Sequence, residues 1–127
     1  MFSHVTVGSN DFARSLKFYD AVMQTLGHSQ MFSMEGAAAY GEPTGPKTWV
    51  LFPFDKAKAV PGNGMHVAYA AQTRAEVDAF FKAALENGGT SEGEPGLRDY
   101  YHPNYYGAYV RDPDGNKLQA VCHSSKG

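Results

Sequence analysis

The sequence predicts an α+β fold made of two copies of one strand-and-helix unit, related by a pseudo-twofold axis around a cleft. Three observations carry this. The chain echoes itself at an offset of 62 residues, so that His4-Val5 falls on His66-Val67, Ala13 on Ala75, Phe18-Tyr19 on Phe80-Phe81, Ala21 on Ala83, Met23 on Leu85 and Gly27 on Gly89. A single duplication near half the chain length implies two modules rather than a stack of short repeats. In each half an alternating, strand-like opening gives way to apolar residues at steps of three and four. Finally, 127 residues are one domain's worth of chain, enough to bury a core without disulfide or metal staples. The expected organisation is a single domain over residues 1–127, with modules at 1–56 and 63–123.

The first strand is expected from Met1 to Gly8, with His4 and Thr6 on one face and Val5 and Val7 on the other. Phe12, Leu16, Tyr19, Met23 and Leu26 then mark an amphipathic helix, for which Ser9 or Asn10 can supply the N-cap and Gly27 the left-handed stop. Between Met31 and Phe54 the pattern turns β-like, and the cluster Gly41-Glu42-Pro43-Thr44-Gly45-Pro46 separates a strand near Ala37–Tyr40 from one near Thr48–Phe54. Asp55 to Asn63 reads as a connector. The second module opens with a strand from Gly64 to Ala71. Thr73 and Glu76 have capping-box spacing at the start of a helix that should stop near Asn87-Gly88-Gly89. Asp112-Pro113-Asp114-Gly115-Asn116 is a turn between strands at Tyr105–Arg111 and Lys117–Cys122.

Composition narrows the function. A net charge of −2 provides no basic field for phosphate neutralisation, so nucleic acid is not an expected partner. No apolar stretch approaches the roughly 20 residues that span a bilayer, and Met1-Phe2-Ser3-His4 opens directly into a strand pattern. A cytoplasmic protein without membrane partners is expected. The lone Cys122 fits a reducing compartment and reads as a small core residue.

If Val5, Val7, Val67 and Tyr69 pack against helices, then His4, Thr6, His66 and Ala68 show the opposite face, as does Gln119 in the row Lys117, Gln119, Val121. The opening His4-Val5-Thr6-Val7, Phe18-Tyr19 in the first helix, His66-Val67-Ala68-Tyr69 and the closing Asp112-Pro113-Asp114-Gly115-Asn116-Lys117-Leu118-Gln119 together resemble the glyoxalase/bleomycin-resistance/extradiol-dioxygenase superfamily, the vicinal oxygen chelate proteins. The resemblance covers essentially the whole chain, and its most specific stretch is the Asp-Pro-Asp-Gly-Asn turn. It implies paired βαβββ modules whose curved sheets enclose a divalent metal, usually in a homodimer, with the modules pairing within one chain or across two. By position it implies His4, His66 and Gln119 as metal ligands. Gln119 stands where the family usually has a glutamate, and Trp49 to Phe54 offers no ligand. Zinc, nickel, manganese or iron would suit two imidazoles and an amide oxygen, yet that set is neutral and lacks a carboxylate to offset the ion's charge.

The segment Asp99-Tyr100-Tyr101-His102-Pro103-Asn104-Tyr105-Tyr106 gathers phenols and an imidazole, with His102 or Tyr101 as the candidate proton-handling, catalytic group. His28 reads as a surface residue at a helix end, and His123 and Cys122 point to opposite faces. Trp49, Phe52 and Phe54 read as core before cleft. Spacing does not place Glu35, Glu42 or Asp55 at the cleft, and Arg98 and Arg111 read as solvated charges before anion ligands. Two functional classes follow. One is a divalent-metal-assisted enzyme, a lyase, isomerase or dioxygenase, acting on a small oxygen-rich molecule in a cleft lined by His4, His66 and Gln119. The other is a metal-free small-molecule binder of the drug-sequestering kind.

Overall fold

The computed structural model describes residues 1–127, which form eight strands and two helices. In chain order they are β1 (His4–Gly8), α1 (Phe12–Thr25), β2 (Ser29–Met34), β3 (Ala37–Gly41), β4 (Lys47–Leu51), β5 (Val67–Ala70), α2 (Arg74–Glu86), β6 (Thr90–Leu97), β7 (Tyr106–Arg111) and β8 (Lys117–Cys122). The first sheet has the order β1-β4-β3-β2 and the second β5-β8-β7-β6, with β1 parallel to β4, β5 parallel to β8, and every other pairing antiparallel. Each half is a βαβββ unit, so the duplication visible in the sequence is a duplication of topology.

The helix ends follow from local chemistry, with one correction. Asp11, not Ser9 or Asn10, is the N-cap of α1, its carboxylate accepting the Arg14 N–H at 3.0 Å. The two expected candidates are engaged elsewhere. Ser9 shares a 2.6 Å hydrogen bond with the Ser15 hydroxyl. The Asn10 amide instead holds the connector, exchanging bonds of 2.9 and 2.8 Å with the backbone of Ala59. Gly27 takes φ +83° after α1 and Gly88 takes +95° after α2, the left-handed conformation that ends a helix. At α2, Thr73 caps the Glu76 N–H at 3.1 Å, while the Glu76 carboxylate reaches past Thr73 to the Gln72 N–H at 2.9 Å.

The helix-side faces of the two sheets share one core. A single cluster of 18 buried residues joins Phe18, Tyr19, Val22 and Met23 of α1 to Val77, Phe80 and Ala84 of α2, together with residues from both sheets. The Thr48 hydroxyl of β4 meets the Tyr69 hydroxyl of β5 at 3.0 Å across the junction, and α1 packs directly on α2. Trp49, Phe52 and Phe54 lie outside this cluster: Trp49 is half-buried, and Phe52 and Phe54 are exposed. Register turns Trp49 to the sheet's other face beside Phe32, Phe52 sets its ring 5.7 Å from Phe12 of α1 at the edge of the core, and Phe54 stands free on the connector.

Gly89 shows how closely the elements meet. A Cβ there would lie 2.8 Å from the carbonyl oxygens of Ala84 and Arg111 and from the Phe18 ring. Two of those neighbours are backbone and cannot swing aside. Gly89→Ala is therefore expected to destabilise the fold by about 1–3 kcal/mol through overpacking, read as a lower urea midpoint at unchanged m-value.

The turn from Asp112 to Asn116 staples the second module to the first. Asp114 accepts from the Asn10 N–H at 3.1 Å and the Ser15 hydroxyl at 3.1 Å, and pairs with Arg14 at 2.6 Å. Asn116 donates to the Gly8 carbonyl at 2.9 Å. Buried Asp112 receives the Tyr19 hydroxyl at 2.5 Å as well as the N–H groups of Asp114 and Asn116, each at 2.9 Å.

Candidate functional site

The helix-side faces are buried in the shared core, and the opposite faces of the two sheets lie outside it. On the first sheet, strand register aligns Thr6, Trp49, Ala39 and Phe32 in one row, and the Phe32 and Trp49 rings lie 5.8 Å apart. His4 stands at the start of β1, exposed, with Nδ1 2.8 Å from the Ser3 hydroxyl. On the second sheet the corresponding row is Ala68, Gln119 and Tyr109. His66 immediately precedes β5 and sets its ring edge toward Tyr109 at 6.1 Å. His4 lines cavities of about 630 and 560 Å³, and His66 lines neither. The larger cavity also reaches Val67, Ala68, Tyr69 and Ala70 of β5, but the His66 imidazole is not part of its lining.

The second open face holds most of the chemistry. Gln119 is 1% exposed, and its amide donates to the Tyr105 hydroxyl at 2.5 Å. Gly107 makes room for this contact, since a Cβ there would sit 3.1 Å from the Gln119 amide nitrogen. The Tyr101 ring packs on Tyr105 at 4.7 Å, tilted by 48°. Burial first, then the neighbouring Tyr105 and Tyr101 hydroxyls, hold the Tyr109 phenol well above its ordinary value, so it is a protonated donor at neutral pH.

The structure gives His102 a defined arrangement. Its Nδ1 accepts the Asn104 N–H at 3.1 Å, which puts the ring proton on Nε2, where it donates to His123 Nδ1 at 2.9 Å. Both nitrogens of His102 are thus engaged within the chain, and the imidazole nitrogen left over in the pair is Nε2 of His123. Tyr101 is exposed, its ring against Tyr100 as well as Tyr105. Sequence reasoning missed the roles of Tyr105, Tyr109 and His123 in this network. Strand alternation held the signal, since Tyr105, Gly107 and Tyr109 share a row opposite Gln119 and His123. Cys122 is buried on the other side, as expected.

A model of the Glyoxalase/Bleomycin resistance protein/Dioxygenase superfamily matches residues 1–120. The chain belongs to this superfamily. It is 42% identical to a glyoxalase/bleomycin resistance protein from Albidiferax ferrireducens T118, covering 98% of this chain and 99% of that one with a TM-score of 0.89. The fold is shared with a glyoxalase-related enzyme from Fulvimarina pelagi at 19% identity (96% and 87% coverage, TM-score 0.75) and with lactoylglutathione lyase from Agrobacterium tumefaciens at 18% (96% and 92%, TM-score 0.65). No curated protein matches the sequence. No helix of the chain is long and apolar enough to cross a membrane.

The glyoxalase superfamily often uses divalent metals. The residues of one chain do not fit such an ion. No three His, Cys, Asp or Glu side chains converge anywhere in it. His4 and His66 occupy separate faces, and Gln119 is a neutral amide already hydrogen-bonded to Tyr105. A catalytic ion asks for three protein ligands held together, with charge to match.

Proposed function

We propose that this glyoxalase-superfamily protein is a homodimeric, cytoplasmic binder of a small oxygen-rich molecule, residues 1–127 acting as one domain of modules 1–56 and 63–123. The ligand lies on the open face of the second sheet, with the Tyr101, Tyr105 and Tyr109 hydroxyls as its polar contacts, buried Gln119 holding Tyr105 in place behind them, and His66 at the rim. The facing wall is the open face of the first sheet of a second copy, presenting His4, Thr6 and Trp49. One observation carries this reading: a network of phenols, anchored on the buried Gln119 amide, is laid out on the face of the second sheet that lies outside the shared core. Phe32, Met31 and Met34 extend the first sheet's apolar, exposed face in the same way.

An NMR screen of a fragment library of small oxygen-bearing molecules against ¹⁵N-labelled protein tests the reading. Binding should move the Gln119 side-chain amide and the Gly107 and Tyr109 backbone signals, and Gln119→Leu should weaken it at least tenfold. Hits confined to other surfaces, such as the 250 Å³ cavity beside Asn10 and Lys58, would sink it. Elemental analysis of protein made without an affinity tag separates the second class. A stoichiometric divalent ion, lost in both His4→Ala and His66→Ala, would replace the binder with the metal-assisted lyase, isomerase or dioxygenase.

A further inference from the structure

Two cations lie against the Tyr109 ring. The Lys117 ammonium is 5.4 Å from the centre of that ring and the Arg98 guanidinium 5.6 Å. Neither is neutralised, for the chain's two ion pairs are Arg14–Asp114 and Arg111–Glu92. Arg98 folds back along β6 and donates from Nη1 to the Gly96 carbonyl and from Nη2 to the Glu94 carbonyl, both at 2.8 Å. Those carbonyls fix the orientation of the guanidinium without cancelling its charge.

The sequence of β6 is suited to this placement. A Cβ on either Gly93 or Gly96 would come within 3.2 Å of the Arg98 guanidinium nitrogens, so the two glycines leave the trough in which it lies. A chain of net charge −2 has thus placed two uncompensated cations beside its phenol cluster, one of them held in position. Covering the face with a neutral molecule would strip water from both charges and return nothing, whereas an anionic oxygen restores their solvation through charge-assisted hydrogen bonds.

We infer that the ligand carries an anionic oxygen group, a carboxylate or a phosphate, which Arg98 and Lys117 hold beside the Tyr109 ring while the phenols contact the rest of the molecule. This rests on the second open face being the binding site. The group that reads charge is then distinct from the group that reads shape, and the two can be separated experimentally.

Titrations at low ionic strength with benzoate, phenyl phosphate and the neutral benzamide make the test. At least one of the two anions should bind ten times or more tighter than benzamide, and its advantage should shrink as salt is raised. Which anion wins distinguishes carboxylate from phosphate. Arg98→Gln and Lys117→Gln should each reduce the advantage at least threefold while leaving benzamide binding unchanged. The Lys117 side chain makes no hydrogen bond within the chain, so its variant keeps the test valid if loss of Arg98 loosens β6. Equal affinity for all three probes overturns the inference and leaves the binding site standing. Failure of every probe to bind, or anion affinity indifferent to both substitutions, also overturns it, and binding mapped away from Tyr109 and Gln119 sinks the site itself.

Discussion

Asp112→Ala is expected to lower stability by about 3–5 kcal/mol, a large part of what a domain of this size possesses. The carboxylate is the acceptor for four donors: the Tyr19 hydroxyl, the N–H groups of Asp114 and Asn116, and the Asn116 side-chain amide. Alanine leaves the buried Tyr19 hydroxyl without a partner and frees the turn whose next residues hold Asn10, Arg14 and Gly8. Asparagine is no rescue, because it would aim an amide N–H at donors already pointing inward. Tyr19→Phe removes one of the four bonds and strands no donor, so it should cost only about 1–2 kcal/mol. Urea unfolding of the three variants checks the order.

The same group gives stability a pH signature. Burial is the main cause holding the Asp112 carboxyl above its ordinary value, although the Tyr19 and Asn116 hydrogen bonds oppose the rise. Its contribution is therefore fully present below the unfolded-state value of about 3.9 and is lost as pH climbs through the higher folded value. The gap between wild type and Asp112→Ala should narrow on going from acid to neutral pH. At the alkaline end Tyr19, its phenol raised chiefly by burial and then by the Asp112 charge, contributes stability that is present below about pH 10 and lost above it. A gap that widened from acid to neutral would show that Asp112 prefers to be ionised in the folded chain.

The self-match at 62 residues exposed the duplicated fold because it preserved the apolar spacing of both helices, and that spacing reports the core directly. The strands β2 and β6 were harder to read for a physical reason. Both are edge strands; β2 is exposed along its whole length, and β6 carries Gly93, Pro95 and Gly96 with shifts in its pairing register. An edge strand can carry proline and lacks the burial that imposes alternation. At the candidate site, alternation placed His4, His66 and Gln119 on outward faces. It carried no information on whether those faces meet within one chain, because that depends on how the two modules dock. The staple from Asp112 to Asn116 decides the docking, and its sequence reads only as a turn. The residues it contacts, Asn10, Arg14, Ser15 and Tyr19, lie roughly a hundred positions earlier, beyond the reach of local pattern.

Phe80→Ala is expected to cost about 3–5 kcal/mol, and Phe54→Ala no more than about 0.5. Phe80 is wholly buried, packs near Tyr69 at 6.3 Å, and belongs to the cluster that joins both helices and both sheets. Removing its ring leaves a cavity that α1 and α2 cannot close without pulling away from one sheet or the other, since Gly89 already holds Phe18 at the limit of contact. Phe54 is fully exposed on the connector and gives up no packing in this chain. Because the core is shared, the Phe80 variant should still unfold in one transition, with fluorescence of Trp49 in the first sheet and far-ultraviolet circular dichroism reporting the same midpoint. Two separate midpoints would mean that each βαβββ unit carries its own core. The outward faces would then be free to turn toward each other, and a second copy would no longer be needed to cover them.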